Sequence, residues 1–239
     1  MGFDFEVAGL RTSVIIPVRD GQAHVADAID SVLSQLADTD EILVVDDAST
    51  DKTKSVVNAR LDSRIRLVEG TGRGASSARN IGLAAAHGEF VAFLDHDDVW
   101  PPGRHAVLRR ALIDHPDIDA AHGRQRIRVE AGAQDRAWMA AKDNRHLPFN
   151  IMFTALFRRW ILDKVGGFAE DLRLFEDIDC CARMREAGMR VVACDVDSLI
   201  YRHHGGNSTR DRAVLADAAM EYLQRRIART RDQRRRSRP

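Results

Sequence analysis

Four short apolar runs, each ending in polar or glycine-rich residues, constrain this chain most. They are TSVIIPV (12–18), EILVVDD (41–47), RIRLVEG (64–70) and EFVAFL (89–94). Nearly continuous β-branched runs of this length read as strands buried on both faces. The first is expected to stop pairing at Pro17, which lacks an N–H. Between the runs the period changes. Val25, Ala28, Ile29, Val32, Leu33 and Leu36 recur at helical spacing over about 24–36. Ser49 or Thr50 is placed to cap a second helix running through Arg60, and a third follows the loop GTGRG over 76–86. Four strand–helix alternations mean a mostly parallel sheet flanked by helices, an α/β fold. In such sheets ligands bind outside the carboxyl ends of the strands. Those ends carry Pro17–Asp20, Asp46–Asp47, Gly70–Gly74 and Asp95–Asp98, so one sheet edge collects the polar chemistry.

The second half is less regular. Helix is expected at 103–114 and strand at 120–130, with an insertion or mobile loop at 131–148. NIMFTALFRR reads as a strand, WILDKVGGF as a short helix ending at Gly166-Gly167, and EDIDCCARMREAG as a helix stopped by Gly188. RVVACD and LIYRHH read as two short strands, and a last helix runs from about Asp211 into an arginine-rich end. With 239 residues, 44% of them hydrophobic, one domain over about 1–220 is expected, followed by a basic tail at 221–239.

Thirty-six basic residues balance thirty-six acidic ones, so global charge does not point to nucleic acid, and none is expected as a partner. Three cysteines (Cys180, Cys181, Cys194) without regular spacing argue against a disulfide framework or a zinc site and for a reducing compartment. No basic-then-apolar leader opens the chain, Glu6 stands where a myristoylation signal wants Ser or Thr, and no run approaches the ~18 apolar residues of a membrane span. A cytoplasmic location is expected.

Asp95, His96, Asp97 and Asp98 end the fourth strand. Packed carboxylates raise one another's pKa unless a cation offsets them, and Mg²⁺ or Mn²⁺ is the natural partner, often with a phosphorylated substrate. Solvated turn residues with Asp95 capping the next helix are the plain alternative. Asp95-x-Asp97-x-Val99 also fits the nucleophile motif of haloacid-dehalogenase-like phosphatases, with Asp95 the nucleophile, although that motif belongs on the first strand. A dinucleotide site needs Gly-x-Gly-x-x-Gly after the first strand, where this chain has PVRDGQAH.

Four motifs in order, VIIPV with Asp20, VVDDASTD, GASSARNIGLAAAHGEFVAFLDHDD and GGF…EDIDCCARM, resemble the family 2 glycosyltransferases over about 12–208. The resemblance implies a GT-A fold, with a nucleotide-binding half at about 12–100 and an acceptor-binding half at about 101–210. It implies an inverting, metal-dependent transfer from a UDP-, GDP- or dTDP-sugar to a glycan, lipid-linked or other hydroxyl acceptor, as in polysaccharide or lipopolysaccharide synthesis. By that resemblance Pro17, Arg19, Asp20 and Asp47 line the base pocket, Arg79 and Arg73 lie near the phosphates, and Asp95 and Asp97 address the ribose and the metal shell. Asp98 is the expected direct metal ligand. Asp177 is the expected base and Glu176 an acceptor contact. Arg202 and His204, in YRHHGGNST, are expected to close over diphosphate or metal. The residue types suit these roles: carboxylates only accept hydrogen bonds, and arginine presents a fork of donors to phosphate.

The chain also departs from the pattern. Arg19 replaces an aromatic residue two positions after the proline, and Ala169 stands where an acidic residue often follows the phenylalanine. No Gln-x-x-Arg-Trp occurs, which argues against a processive synthase. A non-catalytic nucleotide-sugar-binding protein is a further alternative. The tail, with eight arginines from Arg225 to Arg238, reads as a frayed, solvated terminus or as a peripheral contact for anionic lipid headgroups.

Overall fold

The computed structural model describes residues 9–130, 151–172, 174–204 and 212–236. The expected insertion at 131–148 lies outside the described residues. Seven strands form one sheet in the order β3-β2-β1-β4-β6-β5-β7. β1 (Thr12–Val18), β2 (Glu41–Asp46), β3 (Ile65–Glu69) and β4 (Phe90–Phe93) are mutually parallel. β6 (Ala155–Arg158) runs antiparallel between β4 and β5 (Ala120–Val129), and β7 (Val191–His203) pairs parallel with β5. Only β6 is reversed, so the carboxyl ends of β1 to β4 and of β7 share one edge.

The helices are α1 (Val25–Leu33), α2 (Thr53–Asn58), α3 (Ala75–Ala85), α4 (Arg104–Asp114), α5 (Ile151–Thr154), α6 (Arg159–Val165), α7 (Glu176–Glu186) and α8 (Arg212–Arg236). α1 buries Val25, Ala28, Ile29 and Val32, the face its spacing predicts. α3 lies close on the sheet because Gly82 has no side chain: a Cβ there would stand 2.5 Å from Ile15 Cγ2 and 3.1 Å from Val45 Cγ2.

Several expectations change. β1 runs through Pro17, which pairs in register with Val45. The Val18 carbonyl accepts from Asp47 on the β2 side and the Ile15 carbonyl from Leu94 on the β4 side. The missing Pro17 N–H therefore faces β4 beyond its last ladder bond, where no partner is lost. Ser49 and Thr50 do not cap α2. They bind the β1–α1 loop instead, Asp20 N–H donating to Ser49 Oγ and Thr50 N–H to Asp20 Oδ1.

NIMFTALFRR is not one strand. Its first half is the helical turn α5, where the buried Arg104 guanidinium donates to the carbonyls of Phe153 and Ala155. Arg104 stacks 3.8 Å over Trp100, and burial without an acidic partner lowers its pKa to about 9. RVVACD and LIYRHH are one strand. Register shifts against β5 around Arg124 absorb the extra residues as a bulge, and Gly123 admits the Val196 carbonyl, which would lie 2.4 Å from a Cβ.

Over its described residues the arginine-rich end is helical, where a frayed terminus was expected. α8 crosses residue 220 without a break and packs Ala218 and Tyr222 inward.

Candidate active site

Two loops make the floor of the polar edge. Asp20, held at φ 51°, accepts from both the N–H and the hydroxyl of Thr50. Gly21 N–H donates to Thr53 Oγ1 and Gln22 N–H to Asp51 Oδ2. Pro17 is buried beneath them and Arg19 is exposed. Asp47 is buried, its two oxygens accepting the N–H groups of Gly72 and Gly74 at 2.7 Å each. That fastens the glycine-rich loop across the end of β2, and Gly74 supplies the φ of 96° that starts α3.

The acidic cluster splits three ways. Asp95 accepts from Arg79 Nη2 at 2.7 Å. Asp97 Oδ2 lies 3.0 Å from His204 Nε2, and His204 stacks on His24 with ring centroids 4.8 Å apart. Asp98 turns inward and is buried, its Oδ1 accepting the backbone N–H of Arg202 at 2.8 Å. The Arg202 guanidinium reaches Asp27 Oδ2 at 2.8 Å and the backbone carbonyl of Asp97. Arg202 thus braces the end of β7 against β4 and α1. Burial raises the Asp95 pKa, with Arg79 opposing the shift. Burial, then the charges of Asp95 and Asp97, pushes Asp98 well above the ordinary carboxylate range. Asp98 stays raised although Arg202 lies against it, and a carboxylate group left short of positive charge suits a hard cation. Among the described residues no three His, Cys, Asp or Glu side chains are grouped so as to hold a metal ion by themselves. Asp97 and His204 are the donors standing together.

Arg79 joins this edge to the second half. It is 3% exposed and donates to Asp95 and to Glu176 Oε1, both at 2.7 Å, while its guanidinium lies over Phe153 and Phe168. Asp177 follows Glu176 in the first turn of α7, and burial plus the Glu176 charge raise its pKa to about 6. A carboxyl poised there can take a proton near neutral pH. The next residue of ARN explains why GGF lies far along the chain. Asn80 Oδ1 accepts from Phe168 N–H at 2.8 Å, and its Nδ2 donates to the Phe168 carbonyl and to Glu170 Oε1. Gly167 makes room, since a Cβ there would meet Asn80 Oδ1 at 2.5 Å. Glu170 also pairs with Arg73 at 3.2 Å, so the acidic residue absent at Ala169 stands one position later.

A clamp on α7 escaped the sequence reading. Phe175, at φ 64°, starts the helix and faces Tyr222 of α8. Asp179, fully buried, accepts from Arg183 and Arg229 at 2.7 Å each. Arg229 also donates to Glu186, and Arg225 pairs with Asp171. Burial pushes Asp179 upward, but the hydrogen bonds from Arg229 and Arg183 hold it below its ordinary pKa. The signal available was the string of arginines, whose partners lie about fifty residues away.

A mostly parallel sheet with acidic and basic groups gathered at the carboxyl ends of its strands is the frame of an α/β ligand-binding enzyme. The chain belongs to the family "Glycosyl transferase family 2", whose model matches residues 13–181. "Succinoglycan biosynthesis protein ExoO" of Rhizobium meliloti (strain 1021) is 31% identical over 222 residues, covering 80% of this chain and 62% of the relative. The chain therefore spans less than two thirds of that relative's length.

Among solved structures, S. aureus TarS in complex with UDP-GlcNAc aligns with a TM-score of 0.68 at 23% identity, covering 83% of this chain and 60% of that one. "Mannosyltransferase PcManGT from Pyrobaculum calidifontis in complex with GDP-Man and Mn2+" aligns at 0.62 and 24% identity, covering 84% and 58%. At these identities the two structures show the shared GT-A fold. Family membership and fold leave the phosphatase alternative without support.

Proposed function

We propose that this chain transfers a sugar from a nucleoside-diphosphate sugar to an acceptor hydroxyl with inversion, in the assembly of a cell-envelope or exported polysaccharide. The observation that carries the reading is the Arg79 bridge, which sets the first turn of α7 beside the acidic end of β4. In this reading the donor lies along the edge formed by Pro17, Arg19, Asp20, Asp47, Arg73 and Asp95. Asp177 accepts the proton of the acceptor hydroxyl as that oxygen attacks the anomeric carbon opposite the leaving diphosphate. Glu176 keeps Asp177 basic enough to do so, and Arg79 holds Glu176 in place.

Asp97 and His204 would hold Mn²⁺ or Mg²⁺, with the Asp98 charge behind them and diphosphate oxygens completing the shell. When bound, the cation offsets charge on the leaving diphosphate. Similar proteins support the class of reaction: a succinoglycan biosynthesis protein, and structures holding UDP-GlcNAc or GDP-Man with Mn²⁺.

The test is calorimetric titration with UDP, GDP and dTDP, each with and without Mn²⁺. One nucleotide should bind in a metal-dependent way, and Asp97→Ala should abolish the metal effect. Failure of all three to bind under either condition would overturn the donor-site reading.

A further inference from the structure

Helix α8 has two working faces. Its inner face holds Ala218, Tyr222, Arg225 and Arg229 against α7 and the loop before it. Almost opposite, Met220, Leu223 and Ile227 are 58%, 48% and 52% exposed. Spacings of three and four place these three on one stripe of the helix. Positive charge accompanies the later part of the stripe, while Asp217 and Glu221 are exposed beside its start. Residues 224–239 contain eight arginines and one acidic residue, Asp232. Two of the eight, Arg225 and Arg229, are spent on Asp171, Asp179 and Glu186. Of the others, Arg226 and Arg231 are exposed.

From these features we propose that the outer face of α8 is a membrane-docking surface. The helix lies in the plane of an anionic bilayer with Met220, Leu223 and Ile227 in the headgroup–acyl boundary and Arg226 and Arg231 on lipid phosphates.

An exposed apolar stripe on a basic helix is the pattern of an interfacial helix. No described helix, α8 included, is long and apolar enough to cross a membrane, and in the docked state α8 stays at the surface. A second copy of the chain is a poorer occupant, because two helices that each expose Arg226 and Arg231 on this side repel. Nucleic acid would use the arginines but has no need of the apolar stripe. Docking this way sets α7 about one interhelical distance, roughly 10 Å, above α8, with the first turn of α7 near the bilayer surface. An acceptor displayed at that surface would then be within reach. The docking itself does not depend on the sugar-transfer reading.

Co-sedimentation of the full chain with phosphatidylcholine vesicles, with and without phosphatidylglycerol, tests the surface. Binding should require the anionic lipid. It should weaken at least about tenfold in the triple variant Met220→Ser, Leu223→Ser, Ile227→Ser. The charge variant Arg226→Glu, Arg231→Glu should weaken it comparably. All five side chains are exposed, so both variants should keep the parent's urea unfolding midpoint, and the charge variant keeps the test alive if the triple variant misfolds.

Three outcomes would overturn the proposal: no binding to anionic vesicles, binding indifferent to the triple variant, or equal binding to duplex DNA that ignores it. So would self-association, seen by sedimentation equilibrium and removed by the triple variant, in a chain that ignores vesicles.

Discussion

Replacing Arg79 by Met removes the one cation shared by Asp95 and Glu176 and leaves an apolar side chain among Phe153 and Phe168. The two bonds lost are charge-assisted, each 2.7 Å long. Glu176 is 14% exposed and Asp95 31%, so solvent screens Asp95 more than Glu176. Breaking a buried pair by removing one partner costs about 3–5 kcal/mol. For a chain of this size that lowers Tm by roughly 6–20 °C.

The penalty should depend on pH. The Asp95 carboxyl is already raised by burial and Arg79 opposes the rise, so without Arg79 it rises further. A raised carboxyl binds its proton more tightly in the folded state. Stability is therefore retained below the ordinary carboxylate value and lost as pH climbs through the raised one. Urea denaturation followed by tryptophan fluorescence should show Arg79→Met far from wild type at pH 8 and closer by about 1 kcal/mol or more at pH 5. Adding Asp95→Asn should recover part of the loss, since no unpaired charge is then left at that position. A destabilisation below about 1 kcal/mol, the same at both pH values, would refute the buried bridge.

Three further outcomes follow from the same geometry. If Asp177 is the base, kcat/KM should fall with unit slope below a limb near pH 6. Glu176→Gln should move that limb to lower pH by removing the neighbouring charge, and a limb that stays put would assign it to another group. Gly82→Ala should cost about 1–3 kcal/mol in urea unfolding, because the new methyl meets Ile15 at 2.5 Å; an unchanged midpoint would mean that α3 sits farther from the sheet. Arg229→Ala should destabilise by about 2–4 kcal/mol at neutral pH by leaving the buried Asp179 half-paired. Asp179 has a lowered pKa, so this difference should shrink as pH falls below the ordinary carboxylate range. A pH-independent difference would point to packing alone.

The order and type of the first four strands and their helices were legible because each is a local pattern: period two or continuous for strands, 3.6 for helices, glycine at the turns. The parallel sheet and its polar edge followed from that alternation alone, and so did the residues gathered there. The second half was less legible. The junction of α5 and β6 is held by a guanidinium from another helix, which binds the Phe153 and Ala155 carbonyls, and β7 is one strand because β5 absorbs a bulge. Neither cause lies within the segment itself.

The same division holds at the site. The sequence by itself determined which charged residues stand at the strand ends, because strand length and turn chemistry are encoded over a few neighbouring residues. Only the tertiary structure decided what each carboxylate faces. Asp95 meets Arg79, Asp97 meets His204, Asp98 meets the backbone of Arg202, and Asp179 meets an arginine fifty residues later. Those pairings depend on which surfaces pack together, and burial then sets the charge each group can carry. Arg79 and Asn80 make the point within one tripeptide: the sequence names the donors, but only folding brings Glu176 and Phe168 within reach.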